Sequence, residues 1–217
     1  MAELTFFTGP MNCGKSTLAL QVDHTEASAG RSGRLFTCLD RSGGASITSR
    51  VGLSSPATDV DPDFDFWAWA QAEYRLGHAL DYVICDEVQF YTRPHIDQLA
   101  RIVDDLGIDV YCFGITTDFR SELFPPVARL IELCDRMETL PIRPRCWCGA
   151  WGTKNARVKD GIMVTEGAQV EVGDTESGGV GVHYEVVCRR HHRLRLPSTR
   201  AGAAHEVPLP FDDPSPA

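Results

Sequence analysis

Residues 9–16 read Gly-Pro-Met-Asn-Cys-Gly-Lys-Ser and match the phosphate-loop pattern G-x-x-x-x-G-K-S at every fixed position. The short apolar run of residues 4–7 precedes this stretch, and residues 17–22 have a helix-like pattern. A strand before the loop and a helix after it are the context in which the motif binds phosphate. The stretch therefore predicts a strand–loop–helix unit, and this unit decides the fold.

The loop provides groups that can bind a polyphosphate and its metal ion. Its two glycines let backbone N–H groups turn towards a polyphosphate, and the helix N-terminus adds positive potential. Lys15 can reach the β- and γ-phosphates, and Ser16 can bind Mg²⁺. The residues predicted to bind ATP here are Gly9, Pro10, Met11, Asn12, Cys13, Gly14, Lys15, Ser16 and Thr17. A chance glycine-rich turn is the alternative, and the flanking sequence disfavours it.

Composition narrows the class of protein. The chain has 217 residues, is 43% hydrophobic and carries a formal net charge of −9. This length and apolar content suit one domain with an appendage. An acidic chain is a poor non-specific nucleic-acid binder, because such binding depends on basic residues that neutralise phosphates. Neither a signal sequence nor a long apolar segment is visible, so we expect a cytoplasmic protein that does not associate with membranes or nucleic acid.

Short apolar runs alternate with helical patterns along the first two thirds of the chain. Strands are predicted at residues 4–7, 35–39, 82–85 and 110–113, and helices at 96–106 and 127–134. Leu130, Ile131 and Leu133 are predicted to face the core from the second of these helices. This alternation is typical of an α/β fold with a parallel sheet.

The composition changes near residue 141, which suggests a second lobe. We predict a phosphate-loop domain over residues 1–142 and a small second lobe over 143–196. That lobe contains the glycine-rich stretch 173–181. Residues 197–217 are rich in Ala, Pro and acidic side chains, which predicts a disordered tail.

Two acids follow the predicted strand at residues 82–85. In phosphate-loop enzymes an acid at this strand end helps to hold Mg²⁺, and Asp86 suits that role. Glu87 points the other way on an extended chain, so its carboxylate can accept a proton from a hydroxyl nucleophile. The competing interpretation is an acidic pair that faces water.

Three cysteines and a histidine form a possible metal site near the C-terminal end. Cys146 and Cys148 are followed 40 residues later by Cys188 and His191. Three thiolates and an imidazole make a closed tetrahedral zinc site, which is structural because it leaves no position for water. His192 could replace His191, and partly buried thiols without a metal are the alternative to the site as a whole.

These motifs together resemble the type II thymidine kinase family. The resemblance is carried by residues 9–17, by Asp86-Glu87-x-Gln89-Phe90, by residues 118–120 ahead of Phe124, and by the segment from residue 40 to residue 52. It extends over residues 3–195. It implies a RecA-like phosphate-loop domain with a zinc-ribbon-like lobe, whose lasso loop covers the nucleoside.

The resemblance also implies roles for individual residues. Glu87 becomes the general base on the 5′-hydroxyl, Arg41 and Lys15 become catalytic groups at the transferring phosphoryl, and Gln89 joins the ATP-binding set. Tyr184 is expected to cover the deoxyribose. The residues implied in nucleoside binding are Met11, Phe90, Ile115, Phe119, Phe124, Asn155 and Tyr184, with Thr153 as an alternative to Asn155.

The implied reaction is phosphorylation of thymidine by Mg-ATP, in a homotetramer that is inhibited by thymidine triphosphate. The chain departs from the family pattern at two sites. Asn12 stands where an aromatic residue is common, and Cys-x-Cys and Cys-x-x-His stand where the family has two Cys-x-x-Cys pairs. Two other classes of protein compete with this interpretation. A phosphate-loop ATPase would use Glu87 to polarise water, and a zinc-ribbon nucleic-acid binder would use the arginines near the cysteines.

Overall fold

The computed structural model describes residues 1–38, 45–169 and 181–199. The predictions for Arg41, for most of the glycine-rich loop and for most of the tail lie outside these residues. The chain forms two compact units. The first comprises Met1–Asp118 and Glu122–Arg143, and the second comprises Phe119–Ser121 and the chain from Pro144 onwards. None of the helices in the described ranges has the length and apolar content of a membrane-spanning segment.

Five α-helices and eleven strands are present in the described residues. The helices are α1 (Lys15–Ser28), α2 (Phe66–Arg75), α3 (Arg93–Leu106), α4 (Pro125–Leu133) and α5 (Arg189–Leu194), with a 3₁₀ turn at Val88–Phe90. The strands are β1 (Leu4–Thr8), β2 (Gly33–Thr37), β3 (Ser46–Thr48), β4 (Ser54–Pro56), β5 (Thr58–Asp59), β6 (Tyr82–Cys85), β7 (Asp109–Gly114), β8 (Arg136–Thr139), β9 (Lys154–Lys159), β10 (Ile162–Met163) and β11 (Val182–Val187).

A parallel sheet is the centre of the first unit. In the part of the chain that the structure describes, it has six strands in the order β5-β2-β6-β7-β1-β8. Every strand pairing in it is parallel. The four predicted strands are β1, β2, β6 and β7, and they lie side by side in the middle of the sheet. The prediction of an α/β fold with a parallel sheet is therefore confirmed.

The central strands are mostly apolar because helices cover both faces of a parallel sheet. Phe6, Val83 and Val110 are fully buried, and they pack with the buried face of α3. The helix α3 begins at a capping box formed by Thr92 and His95 and ends at Gly107, which has a left-handed φ of 68°. Glycine adopts that conformation without the steric cost of a Cβ.

One core prediction is wrong. Leu130 is buried and Leu133 is partly buried in α4, but the Ile131 side chain is 38% exposed. A short helix with one buried stripe cannot bring consecutive residues 130 and 131 to the same face, since successive residues are separated by about 100°.

Arg31 fixes the end of α1 to the sheet. Its guanidinium donates to Glu26 of α1 and to Asp109 of β7, each at 2.6 Å. It also donates to the carbonyl of Asp81 at 2.9 Å. The hydrogen bond to Asp109 and the charge of Glu26 raise the pKa of Arg31 above its usual range. The helix that follows the phosphate loop is therefore attached to the sheet at its far end.

The second unit has a small antiparallel sheet with the order β10-β9-β11. Its core cluster is small: Cys146, Ala156, Met163 and Val187 are buried there. Among the described residues its core cluster is much smaller than those of the first unit, which matters for the metal cluster described below.

Candidate active site

The phosphate loop connects β1 to α1 through unusual backbone conformations. Asn12 and Gly14 both have positive φ, at 63° and 88°. Gly14 lies immediately before α1, which begins at Lys15. The loop therefore has the strand–turn–helix geometry that the motif predicts, and its last residues form the helix N-terminus that favours an anion.

Lys15 lies against the loop itself. Its Nζ donates to the carbonyl of Pro10 at 3.0 Å and approaches that of Gly9 at 3.5 Å. The residue is buried, with 8% of its surface exposed. These carbonyls hold the ammonium group over the loop, where a bound polyphosphate would compete for it.

Gly9 is required by close contact with Cys13. A Cβ at position 9 would lie 2.6 Å from the Cys13 Sγ, whereas it would lie 3.5 Å from the Cys13 Cβ. We expect Gly9→Ala to weaken ATP binding, because this overlap costs about 1–3 kcal/mol unless the loop moves. Gly9→Ala/Cys13→Ala should recover most of the lost affinity, since the second change removes the colliding sulfur. Titration calorimetry with ATP measures both variants, and no recovery in the double variant would contradict this packing account.

Asp86 lies at the carboxyl end of β6 and contacts the phosphate loop. The Ser16 hydroxyl donates to its Oδ2 at 2.7 Å. Burial, followed by the charge of Glu87, raises the pKa of Asp86 to about 7, although the hydrogen bond from Ser16 opposes this shift. Hydroxyl and carboxylate oxygens are ligands that Mg²⁺ prefers. The donor set therefore fits the predicted magnesium site.

Glu87 has a left-handed backbone conformation, with φ at 55°. Residues in this region are enriched at functional sites, because the strain persists only where the surroundings fix it. The side-chain amide of Gln89 donates to the Oε2 of Glu87. The Oε1 of Gln89 in turn accepts from the backbone N–H of Ile115 at 3.2 Å. Gln89, predicted only as an ATP-binding residue, thus connects the Glu87 carboxylate to the end of β7.

The apolar residues predicted to bind the nucleoside from the first unit have different surroundings. The Ile115 and Phe124 side chains are buried. Met11 packs at the edge of the same core. The rings of Phe90 and Phe124 meet edge to face with centroids 6.3 Å apart. Their arrangement is compatible with an apolar wall, and their role in binding a nucleoside stays a prediction.

The four predicted metal ligands come together in the second unit. One ligand atom from each of Cys146, Cys148, Cys188 and His191 lies within 4.8 Å of the others. His191 Nδ1 lies 3.3 Å from the Cys146 Sγ. Gly149 has φ at 85° and closes the turn with a 2.8 Å hydrogen bond to the carbonyl of Cys146. The departure from the Cys-x-x-Cys spacing therefore does not keep Cys146 out of the cluster.

The chemistry of the cluster fits zinc. Burial, and to a lesser extent the charge of Arg190, lowers the pKa of His191, which favours the neutral imidazole that binds metals. The indole of Trp147 stacks on this imidazole, with centroids 4.0 Å apart and an interplanar angle of 6°. Burial raises the pKa of Cys146 to about 11, so a cation is needed to stabilise its thiolate. Three sulfurs and one nitrogen are a typical structural zinc set.

A family model described as thymidine kinase matches residues 2–192. The chain belongs to the thymidine kinase family. It is 54% identical over 213 residues to a thymidine kinase of Cutibacterium acnes, which covers 98% of each chain. It is 53% identical over 204 residues to a thymidine kinase of Streptomyces coelicolor, covering 94% of each. A thymidine kinase of Jannaschia sp. is 40% identical over 196 residues, covering 89% of this chain and 96% of the relative. The resemblance predicted from the sequence motifs is therefore confirmed.

The second unit of this thymidine kinase family member contains the remaining residues that were predicted to bind the nucleoside. Asn155 is buried in β9, whereas its alternative Thr153 is exposed and lies just before the strand. Phe119 is also buried. Tyr184 lies in β11 and is the register partner of Arg157 in β9. Their contact with a nucleoside stays a prediction.

Two residues of this thymidine kinase family member have contacts that the sequence motifs did not predict. His192, considered only as an alternative metal ligand, has its Nε2 2.7 Å from the carbonyl oxygen of Phe119 and is not part of the four-residue cluster. Arg157 contacts both Phe119 and Tyr184. These contacts with Phe119 and Tyr184 each span more than 25 positions in sequence, so no local motif indicates them.

Proposed function

We propose that this chain transfers the γ-phosphoryl group of Mg-ATP to the 5′-hydroxyl of thymidine and so forms thymidine monophosphate. One observation carries the proposal. In a member of the thymidine kinase family, Ser16 of the phosphate loop donates a hydrogen bond to Asp86, and the backbone N–H of the next residue, Glu87, donates to the same carboxylate. A phosphate loop alone would fit many nucleotide-binding proteins. A second carboxylate directly after the metal-binding acid supplies the base that a hydroxyl acceptor needs.

The phosphate loop binds and orients the donor in this proposal. Backbone N–H groups of residues 9–16 surround the phosphates, and Lys15 exchanges its contact with the Pro10 carbonyl for the β- and γ-phosphates. Ser16 and Asp86 would hold Mg²⁺, which offsets negative charge on the phosphates. Arg41 would bind the transferring phosphoryl, although this residue lies outside the described part of the chain.

Glu87 removes the proton from the acceptor in this proposal. The Gln89 amide engages Oε2 of the carboxylate. The other oxygen, Oε1, is then the acceptor for the proton of the 5′-hydroxyl as the oxygen attacks phosphorus. Proton transfer to a positioned carboxylate contributes about 10²–10⁴-fold to rate in enzymes that use one.

The cysteine and histidine cluster would hold a structural zinc ion, which crosslinks the turn at residues 146–149 to the start of α5. The second unit has only a small apolar core. A structural zinc contributes on the order of 10 kcal/mol to folding in small metal-binding domains. The cluster would therefore be the main stabilising feature of this unit.

Phosphoryl transfer with separated products tests the proposal against its two rivals. The purified chain should convert ATP to ADP with thymidine present and should form one thymidine monophosphate per ADP. ATP consumption that does not depend on thymidine would favour a phosphate-loop ATPase. Stimulation by DNA instead of thymidine would favour a nucleic-acid-dependent enzyme. The homotetramer, inhibition by thymidine triphosphate and a cytoplasmic location stay predictions from the family resemblance, and sedimentation and inhibition assays address the first two.

The adjacent residues His191 and His192 should affect the zinc content differently when each is replaced by alanine. His191→Ala should lower the zinc content, because His191 supplies a donor atom to the cluster. His192→Ala should retain zinc and lower the free energy of unfolding by about 1 kcal/mol, the usual value of one hydrogen bond, since it loses the contact with the Phe119 carbonyl. Metal analysis by mass spectrometry distinguishes the two variants, and zinc loss in His192→Ala alone would reverse the ligand assignment.

A further inference from the structure

Arg157 is a fully buried cation in the second unit. It lies in β9 and is 1% exposed, and among side chains with under 2% exposure it is one of the largest in the described residues. Burying a guanidinium is costly unless its donors are satisfied and its charge is stabilised. The residues around Arg157 are therefore expected to accept its hydrogen bonds and to stabilise its positive charge.

In the described part of the chain, the guanidinium contacts residues of three separate segments. Its Nε donates to the Tyr184 hydroxyl at 3.0 Å. Its central carbon lies 4.0 Å from the centroid of the Phe119 ring, which is within range of a cation–π interaction. Its Nη2 donates to the carbonyl of Gln169 at 3.3 Å. One side chain therefore holds β11, the segment Phe119–Ser121 and the chain that follows β10.

The contact with Tyr184 has a defined direction. Arg157 and Tyr184 are register partners on adjacent antiparallel strands, so their side chains project from the same face of the sheet. A guanidinium has donors and no acceptor, and the phenol oxygen must accept. This bond fixes the orientation of the phenol group.

We propose that Arg157 is a positioning residue for nucleoside binding, which holds Phe119 and Tyr184 in the orientation that they need to contact thymidine. The inference rests on the proposed function and adds a residue that acts through these two aromatic side chains rather than on the substrate. Phe119 is held from two directions, because His192 lies against its carbonyl while Arg157 covers its ring.

Only arginine provides this combination of contacts. Its planar group can stack on Phe119 while an N–H in the same plane donates to Tyr184. The ammonium group of lysine is compact and strongly hydrated, and it cannot lie over the ring and reach the same hydroxyl with fixed geometry. Arg157→Lys retains the charge and removes the arrangement.

Steady-state kinetics of Arg157→Lys test the proposal. We expect the KM for thymidine to rise about 10-fold or more, which is the loss that follows from a displaced hydrogen-bonding and stacking pair. The kcat and the KM for ATP should remain within about 3-fold, because the phosphate loop and Glu87 belong to the first unit. Zinc content should remain at the wild-type value.

Arg101→Lys is the matched control. The Arg101 guanidinium also lies over an aromatic ring, 3.7 Å from the centroid of Trp67, but it is in the first unit. This variant should keep the wild-type KM for thymidine within about 2-fold, since surface contacts of this kind contribute little. A thymidine effect as large as that of Arg157→Lys would overturn the proposal.

Tyr184→Phe separates positioning from general stability. If Arg157 acts through the Tyr184 hydroxyl, the rise in KM of Arg157→Lys/Tyr184→Phe should be smaller than the product of the two single effects. If the effects of the two single substitutions on the KM for thymidine simply multiply in the double variant, the proposed coupling between Arg157 and the Tyr184 hydroxyl is overturned. A lower melting temperature in Arg157→Lys with an unchanged KM for thymidine, or with equal losses for ATP and thymidine, would leave Arg157 a purely structural residue and would also overturn it.

The inference and the proposed function fail in different ways. A folded wild-type protein that does not phosphorylate thymidine would overturn the proposed function and this inference with it. An active wild-type protein whose variants bind thymidine normally would overturn the inference alone. If Arg157→Lys does not fold, Tyr184→Phe and Phe119→Leu decide, because a wild-type KM for thymidine in both would remove the two residues through which Arg157 is proposed to act.

Discussion

Replacing Glu87 with glutamine should lower the kcat for thymidine phosphorylation by about 10²–10⁴-fold, which is the contribution of a positioned general base. An amide has nearly the same shape as a carboxylate but is far too weak a base to take the proton of the 5′-hydroxyl. ATP binding should remain close to wild type, because the loop contacts of Ser16 and Lys15 do not involve Glu87. Single-turnover phosphoryl transfer at saturating ATP and thymidine measures the effect on the chemical step.

Glu132→Gln provides the control for loss of one negative charge. Glu132 lies in α4, where its carboxylate is 2.9 Å from Arg129 and half of its side chain is exposed. This variant should keep the wild-type kcat, since an exposed ion pair contributes little to stability and is not part of the site. Near-normal turnover in Glu87→Gln would remove Glu87 from the mechanism and would leave the kinase assignment in place.

Cys188→Ser should abolish zinc binding and unfold the second unit. Wild-type protein should contain about one zinc ion per chain, because the cluster supplies one complete tetrahedral set. A serine hydroxyl does not deprotonate to form the ligand that a thiolate provides. Removal of the metal should affect the second unit more than the first, because the second has the smaller apolar core. Hydrogen exchange resolved by residue measures the two units separately.

Cys134→Ser is the corresponding control. Cys134 follows α4 in the first unit and is partly buried against the main core. This change should retain the zinc and cost the first unit no more than an ordinary core substitution. A folded and active wild-type protein without zinc would contradict the structural role of the cluster.

The apolar runs in the sequence predict the central strands well, because a strand that is buried on both faces needs apolar residues. The strands β1, β2, β6 and β7 are apolar since they are covered on both faces, and the phosphate loop fixes the order of β1 and α1. The strand β8 lacks that signal because all four of its residues are exposed. The helix α2 was not predicted, although Asp65 caps its N-terminus and Phe66 and Ala70 are buried one turn apart. The capping residue and the helical spacing of these apolar residues were visible in the sequence, so α2 could have been predicted.

Site residues with local motifs were predictable, and those with only long-range contacts were not. The loop at residues 9–16 and the acid pair after β6 are contiguous in sequence, and so are the two halves of the metal cluster. The contacts of Gln89 with Ile115 and of His192 with Phe119 span 26 and 73 residues. Which residues meet over such sequence distances depends on how the strands and loops pack. Hydrophobic periodicity and motif spacing do not predict that packing. The structure likewise brings His191, and not His192, into the four-residue cluster.

The path of the chain through the two units has a consequence for dividing this protein. Phe119–Ser121 belongs to the second unit, while the residues on either side of it belong to the first. A polypeptide that starts at Pro144 would lack the aromatic ring that Arg157 covers and the carbonyl that His192 contacts. A polypeptide that ends at Arg143 would expose that same ring to solvent. Cleavage at one boundary thus produces two incomplete fragments, because residues 119–121 stay in the first fragment while the side chains that contact them stay in the second.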